Sequence, residues 1–135
     1  MKQMTLPARR KNIPLIIDFV NRELESLGCS RKTEAQIDIA IDELYSNIAN
    51  YGYEEDDGEV TVTLDTDTVP RTVTISFTDE GKPFNPLERA DPDVTLSAKD
   101  RKIGGLGIYM VKKSMDDVSY EYKAGKNILT IRKTL

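Results

Sequence analysis

Gly104-Gly105-Leu106-Gly107, running straight into Ile108-Tyr109-Met110-Val111-Lys112-Lys113, is the stretch on which the reading of this chain turns. Three glycines in four residues let a backbone approach a ligand closely. The helical pattern behind them offers unpaired N–H groups and the positive end of a helix dipole, a ready site for an anion such as phosphate. Arg101 and Lys102 stand just upstream. A plain flexible loop ahead of a helix has the same composition, so the rest of the chain must decide. Two familiar phosphate loops fail. A Walker loop closes its glycines with Lys-Ser/Thr, and Leu106-Gly107-Ile108 has neither. A dinucleotide fingerprint needs a strand directly before its glycines. Here the residues from Asp91 to Asp100 form a polar run instead.

Outward from that stretch the chain alternates clear periods. Met1 to Leu6 reads as a short strand. Asn12 can cap a helix through Leu27, with Pro14 in its first turn, a stripe of Ile16, Phe19, Val20, Leu24 and Leu27, and Gly28 as its stop. Thr33-Glu34-Ala35-Gln36 reads as a capping box opening a second helix to about Tyr51. Val60, Val62 and Leu64, then Val73, Ile75 and Phe77, alternate with polar residues and predict two strands around a turn containing Pro70. A loop of about two dozen residues, Asp79 to Ile103, is too long for an ordinary connector and reads as a lid or binding loop. The glycines then open a third helix to about Met115. Val118–Tyr122 and Ile128–Arg132 make a last hairpin across Ala124-Gly125-Lys126-Asn127. This order predicts helices on one face of a largely antiparallel sheet.

Composition narrows the function. A chain of 135 residues reads as one domain, 1–135, able to bury a core without staples. Its 39% hydrophobic and 31% charged content fits a soluble globular protein, and the net charge of −4 argues against a nucleic-acid surface. One cysteine, Cys29, excludes an internal disulfide and fits a reducing compartment, so the cytoplasm is expected. No apolar run is long enough to span a membrane. The absence of histidine removes imidazole bases, imidazole metal sites and phosphohistidine chemistry.

On the second helix Ile37, Ile41, Leu44 and Ile48 form one narrow stripe, while Asp38 and Asp42 point away toward solvent. Glu43 and Asn47, four apart, share a face beside that stripe. A carboxylate and a carboxamide there are either a snorkelling edge pair or a site for a cation at the border of the core. Asp79 ends an apolar strand, with Gly81 two residues on. It is either a strand-ending turn or an acceptor aimed into a pocket where Gly81 lets a flat ligand lie on the backbone.

Taken in order, these three places resemble the ATP-binding boxes of the Bergerat-fold, or GHKL, superfamily. Glu43-Leu44-Tyr45-Ser46-Asn47, with Asn50-Tyr51-Gly52-Tyr53 behind it, resembles the N-box. Asp79-Glu80-Gly81 resembles the first glycine box, and Gly104-Gly105-Leu106-Gly107 the second. Within the superfamily the chain is similar to the bacterial anti-sigma-factor serine/threonine kinases. The likeness rests on Pro83-Phe84-Asn85-Pro86 after the first box and on Gly105-Leu106-Gly107-Ile108-Tyr109-Met110-Val111 with Met115-Asp116 after the second. The resemblance implies an α+β two-layer sandwich, a mostly antiparallel mixed sheet covered on one face by about three helices.

It also implies ATP and Mg2+ as cofactors. Glu43 would be the general base and Asn47 the magnesium ligand. Asp79 would accept from the adenine amino group over Gly81, with Phe84 beside the base. Gly104, Gly105, Leu106 and Gly107 would bind phosphates, with Arg101 and Lys102 neutralising charge from the lid. Thr130 is a loose match for a threonine near the adenine on the last hairpin. Departures are Pro83 near the place of a second glycine and Tyr51 where a histidine is frequent. The implied partners are a STAS-domain anti-anti-sigma protein, a sigma factor and a second copy of the chain. A non-catalytic, ATP-gated binding module is the competing reading. Glu43 favours the kinase, since a pure binder has no need of it.

Overall fold

The computed structural model describes residues 1–52, 58–88 and 106–135. Five strands form one sheet: β1 (Lys2–Pro7), β2 (Glu59–Thr68), β3 (Arg71–Asp79), β4 (Asp117–Lys123) and β5 (Lys126–Thr134). Their spatial order is β1-β2-β3-β5-β4. All four pairings are antiparallel. The resemblance implied a mixed sheet, and no parallel pair occurs among the described residues.

Three helices, α1 (Ile13–Ser26), α2 (Arg31–Asn47) and α3 (Leu106–Ser114), complete an α+β two-layer arrangement. Alternation along the strands explains the layering. Val60, Val62, Leu64, Val73, Ile75, Phe77, Leu129 and Ile131 are all buried and share one core with Ile16, Val20 and Leu24 of α1, Ile37, Ile41 and Leu44 of α2, and Ile108 and Val111 of α3. Each such side chain contributes about 1.5–3 kcal/mol of transfer free energy, so this face is strongly specified. The other face carries hydroxyls. Thr5 and Thr61 share a hydrogen bond of 2.9 Å, and Ser76 and Thr130 one of 3.1 Å. A sheet with one packed and one polar face is the ordinary antiparallel solution.

The helix boundaries shift from expectation for local reasons. Asn12 precedes α1, but its side chain makes no cap. Its amide donates instead to the Pro7 carbonyl at 2.8 Å. Ser30, not Thr33, caps α2, its hydroxyl accepting from the Thr33 N–H at 3.2 Å. A serine three residues earlier caps an earlier orphan donor and so lengthens the helix. Past Asn47 the chain continues in a wider π turn, Ile48–Gly52. Asp42 is exposed as expected, but Asp38 is half-buried between helices, where the Asn21 amide donates to it at 3.3 Å. No described helix is long and apolar enough to cross a membrane.

Candidate functional site

Asp79 is the last residue of β3 and continues the inward alternation of Val73, Ile75 and Phe77. It is therefore a carboxylate on the core face, only 4% exposed. Its Oδ1 accepts from the Gly81 N–H at 2.8 Å, a turn closed by the side chain. It also accepts from the Asn127 amide at 3.1 Å. Asn127 stands directly across the ladder from Asp79. Its amide nitrogen also reaches the carbonyls of Lys82 at 2.9 Å and Gly81 at 3.3 Å. Its carbonyl oxygen accepts from the Phe84 N–H at 3.1 Å and from the Tyr120 hydroxyl. Burial pushes the Tyr120 phenol pKa up, the Phe84 backbone bond pulls it back, and the nearby Asp79 charge raises it further.

Ile48, Lys82, Phe84, Pro86, Tyr120 and Leu129 surround Asp79 and Asn127 in a small, mainly apolar cavity of about 20 Å³. That is room for about one water. A purine would need the walls to part. A larger cavity of about 400 Å³ lies around Thr5, Glu59, Thr61, Thr78, Glu80 and Lys126, the polar side of the sheet. It also touches Asp79, whose Oδ1 accepts from Asn127 and Gly81.

The second half of the site lies along α2. Glu43 is partly exposed and Asn47 buried, on the face beside the Ile37, Ile41, Leu44 stripe. The Asn47 amide donates to the Glu43 carbonyl one turn back at 2.6 Å. With that nitrogen engaged, the carboxamide oxygen is the atom able to meet a cation. Glu43 itself reaches the start of α3. A Cβ added at Gly107 would overlap its carboxylate, and even the farther oxygen, Oε1, would stand only 3.0 Å away. A side chain at Gly107 would therefore have to displace the end of Glu43. Ile48, one residue past Asn47, lines the Asp79 cavity, so α2 joins the two halves.

Of the sequence-nominated residues, the structure gathers Asp79, Gly81 and Phe84 around Asn127, and Glu43, Asn47 and Gly107 along α2. Leu106 begins α3. Arg101, Lys102, Gly104 and Gly105, with the expected lid beyond Glu88, lie outside the described residues. Thr130 is not brought to the site. Its neighbours Leu129 and Ile131 face the core, so Thr130 faces the other way and bonds Ser76. Asn127 was read only as a hairpin turn residue. The turn is in fact Ala124-Gly125, both at positive φ, which leaves Asn127 inside β5. The signal available was its parity with Leu129 and Ile131.

The buried Asp79 beside its narrow apolar slot and the Glu43 carboxylate against the first turn of α3 are thus both held on the helix-covered side of an α+β two-layer domain. The chain belongs to the histidine kinase-like ATPase domain family, whose model matches residues 6–133. It is also similar to proteins named serine-protein kinase RsbW. The one from Bacillus cereus (strain ATCC 10987 / NRS 248) is 24% identical over 129 residues, covering 94% of this chain and 81% of the relative. Those from Bacillus mycoides (strain KBAB4) and Bacillus thuringiensis (strain Al Hakam) are each 25% identical over 131 residues with the same coverage.

Proposed function

We propose that this chain is an ATP-dependent protein serine/threonine kinase of the anti-sigma-factor type. The observation that carries the reading is the path of α2. It sets Glu43 against Gly107 at the mouth of α3 and ends one residue short of Ile48, which lies in the wall of the Asp79 cavity. An adenine amino group would donate to Asp79, and the phosphates would extend toward α3. The residues fit such a ligand. Asp79 is a buried acceptor, and the bare Cα of Gly107 lets the Glu43 carboxylate lie against the first turn of α3, beside the place proposed for the phosphates.

Magnesium would be held by the Asn47 carboxamide oxygen, with phosphate oxygens and waters as its other ligands. When bound, the metal supplies charge neutralisation at the phosphates. Glu43 would take the proton of an attacking serine or threonine hydroxyl. The hydroxyl oxygen would then bond to the terminal phosphorus as the bond to ADP breaks.

The acceptor would be a STAS-domain anti-anti-sigma protein, and the consequence a change in the availability of a sigma factor. The names of the Bacillus relatives support the kinase class. The partners, a homodimeric state, a single domain over 1–135 and a cytoplasmic location belong to the same reading. The decisive assay incubates radiolabelled ATP, Mg2+ and the antagonist encoded nearest this gene, with wild-type acceptor beside its serine-to-alanine variant. Label confined to the wild-type acceptor is the expected result. Tight ATP binding with no labelling of any antagonist would instead support the ATP-gated binding module.

A further inference from the structure

Asn127 is the most heavily committed polar side chain at the site, and the roles of Glu43, Asn47 and Asp79 leave it unexplained. It is 6% exposed and bonds three separate pieces of structure: Asp79 at the end of β3, the turn over residues 81–84, and Tyr120 on β4. The direction of its carboxamide is not open to choice. The Phe84 N–H can only donate, and the Gly81 and Lys82 carbonyls can only accept. Rotating the amide by half a turn would set N–H against N–H and oxygen against oxygen. The backbone therefore fixes which face of Asn127 meets Asp79, and that face is a donor.

We infer that Asn127 is the positioning residue that sets the purine selectivity of this pocket, by holding Asp79 Oδ1 as a hydrogen-bond acceptor and tying the turn that carries Gly81 and Phe84 to the last hairpin. The inference rests on the adenine nucleotide reading above. Ionised Asp79 can only accept, and the donor locked on Oδ1 fixes the direction in which it does so. Adenine presents an amino group at its six position and is matched. Guanine and hypoxanthine present a carbonyl there and leave two acceptors face to face, a mismatch that buried polar sites reject strongly. The same amide holds Phe84 at 3.1 Å from its carbonyl oxygen, so one residue controls both the chemical edge and one wall of the slot.

The opposite pattern follows from one substitution. Asn127→Asp replaces the donor by a second carboxyl group at the same rung. Two carboxyl groups at hydrogen-bond distance do not both ionise and instead share a proton. With that proton on an outer oxygen the pair can donate, which is what the carbonyl of guanine or hypoxanthine needs. Asn127→Ala removes the amide without adding a charge and leaves room for water to satisfy the turn.

The experiment is calorimetric titration of wild type, Asn127→Asp and Asn127→Ala with ADP, GDP and IDP, with cooperative thermal unfolding checked for each. Wild type is expected to favour ADP over GDP by roughly 100-fold or more. In either folded variant the ADP:GDP ratio is expected to fall by about tenfold or more. Only Asn127→Asp should gain absolute affinity for GDP or IDP. Should one of the two fail to fold, the ratio in the other decides. A wild-type ratio retained in the folded variants, even with weaker binding of every nucleotide, would overturn the inference and leave Asn127 a structural tie. A wild type that binds ADP and GDP equally would overturn the adenine reading itself, and this inference with it.

Discussion

The Glu43 carboxylate occupies the space where a side chain at Gly107 would begin. The base candidate on α2 therefore lies directly against the first turn of α3. Gly107→Ala tests that fit. Alanine favours the helix by about 1 kcal/mol, so stability should change little. The added methyl must move the end of Glu43, and a misplacement of about 1 Å can cost on the order of 100-fold in rate. Single-turnover transfer is expected to fall by about that factor, with thermal unfolding within a few degrees of wild type. Transfer at the wild-type rate would mean that Glu43 tolerates displacement and does not act on the nucleophile.

Glu43→Gln keeps the shape and the contact with Gly107 but removes the proton acceptor. Phosphate transfer should drop by at least ~100-fold, the scale of general-base catalysis. ATP affinity should stay within about threefold, because the residue is proposed to act on the acceptor hydroxyl rather than on the nucleotide. Asn47→Ala should differ by weakening the magnesium-dependent part of binding. Filter binding with and without Mg2+ separates the two variants.

Asp79→Asn retains an acceptor oxygen for Gly81 but loses the charge that faces Asn127 and the proposed amino group. Hydrogen bonds to a charged partner contribute about 1.5–3 kcal/mol. ADP affinity should therefore fall by roughly 10–100-fold in calorimetry. Unchanged affinity would place the base elsewhere, with the 400 Å³ cavity on the polar face of the sheet the next to test.

Asp38 gives a pH signature unconnected with the nucleotide. Burial raises its carboxyl pKa above the ordinary value, and the Asn21 hydrogen bond opposes this only in part. Buried oxygens of both residues, Asn21 Oδ1 and Asp38 Oδ1, have no hydrogen-bond partner among the described residues. A raised folded-state pKa means that the folded protein holds the proton more tightly than the unfolded chain does. The resulting stabilisation is full below the ordinary carboxylate pKa of about 3.9 and is lost as pH rises through the raised value. Asp38→Asn should raise the Tm at pH 7, and the gain should shrink as pH falls toward 4. A Tm difference independent of pH would show that ionisation of Asp38 is not its source.

Much of this was legible in the residues themselves. The stripe Ile37, Ile41, Leu44, Ile48 located the buried face of α2 and put Glu43 and Asn47 at its edge, because one helical period fixes both. Asp79 could be seen to end an apolar strand. The role of Asn127 could not be read, because Asn beside Gly and Lys is ordinary turn chemistry. Only the register of β3 on β5 reveals that it faces Asp79. Thr130 was separated from the site by the same alternation, which Leu129 and Ile131 already announced. Asp38 looked solvated because helical angle ignores what packs alongside, and the neighbouring Asn21 on α1 is a tertiary fact.

Ile75 pairs with Ile131, Phe77 with Leu129, and Asp79 with Asn127, three successive inward rungs of one ladder. The lower two rungs are greasy and the top one is polar, so the core acts as a ruler for the pocket. A slip of one residue would turn Asn127 to the hydroxyl face and expose Leu129 and Ile131 together. A slip of two would keep the face but carry the amide about 7 Å from the carboxylate. On the proposed reading, base preference would therefore be calibrated by residues that touch no base. An engineer re-cutting the pocket can recode the top rung freely, whereas trimming Phe77 or Leu129 would blur the scale against which that rung is measured.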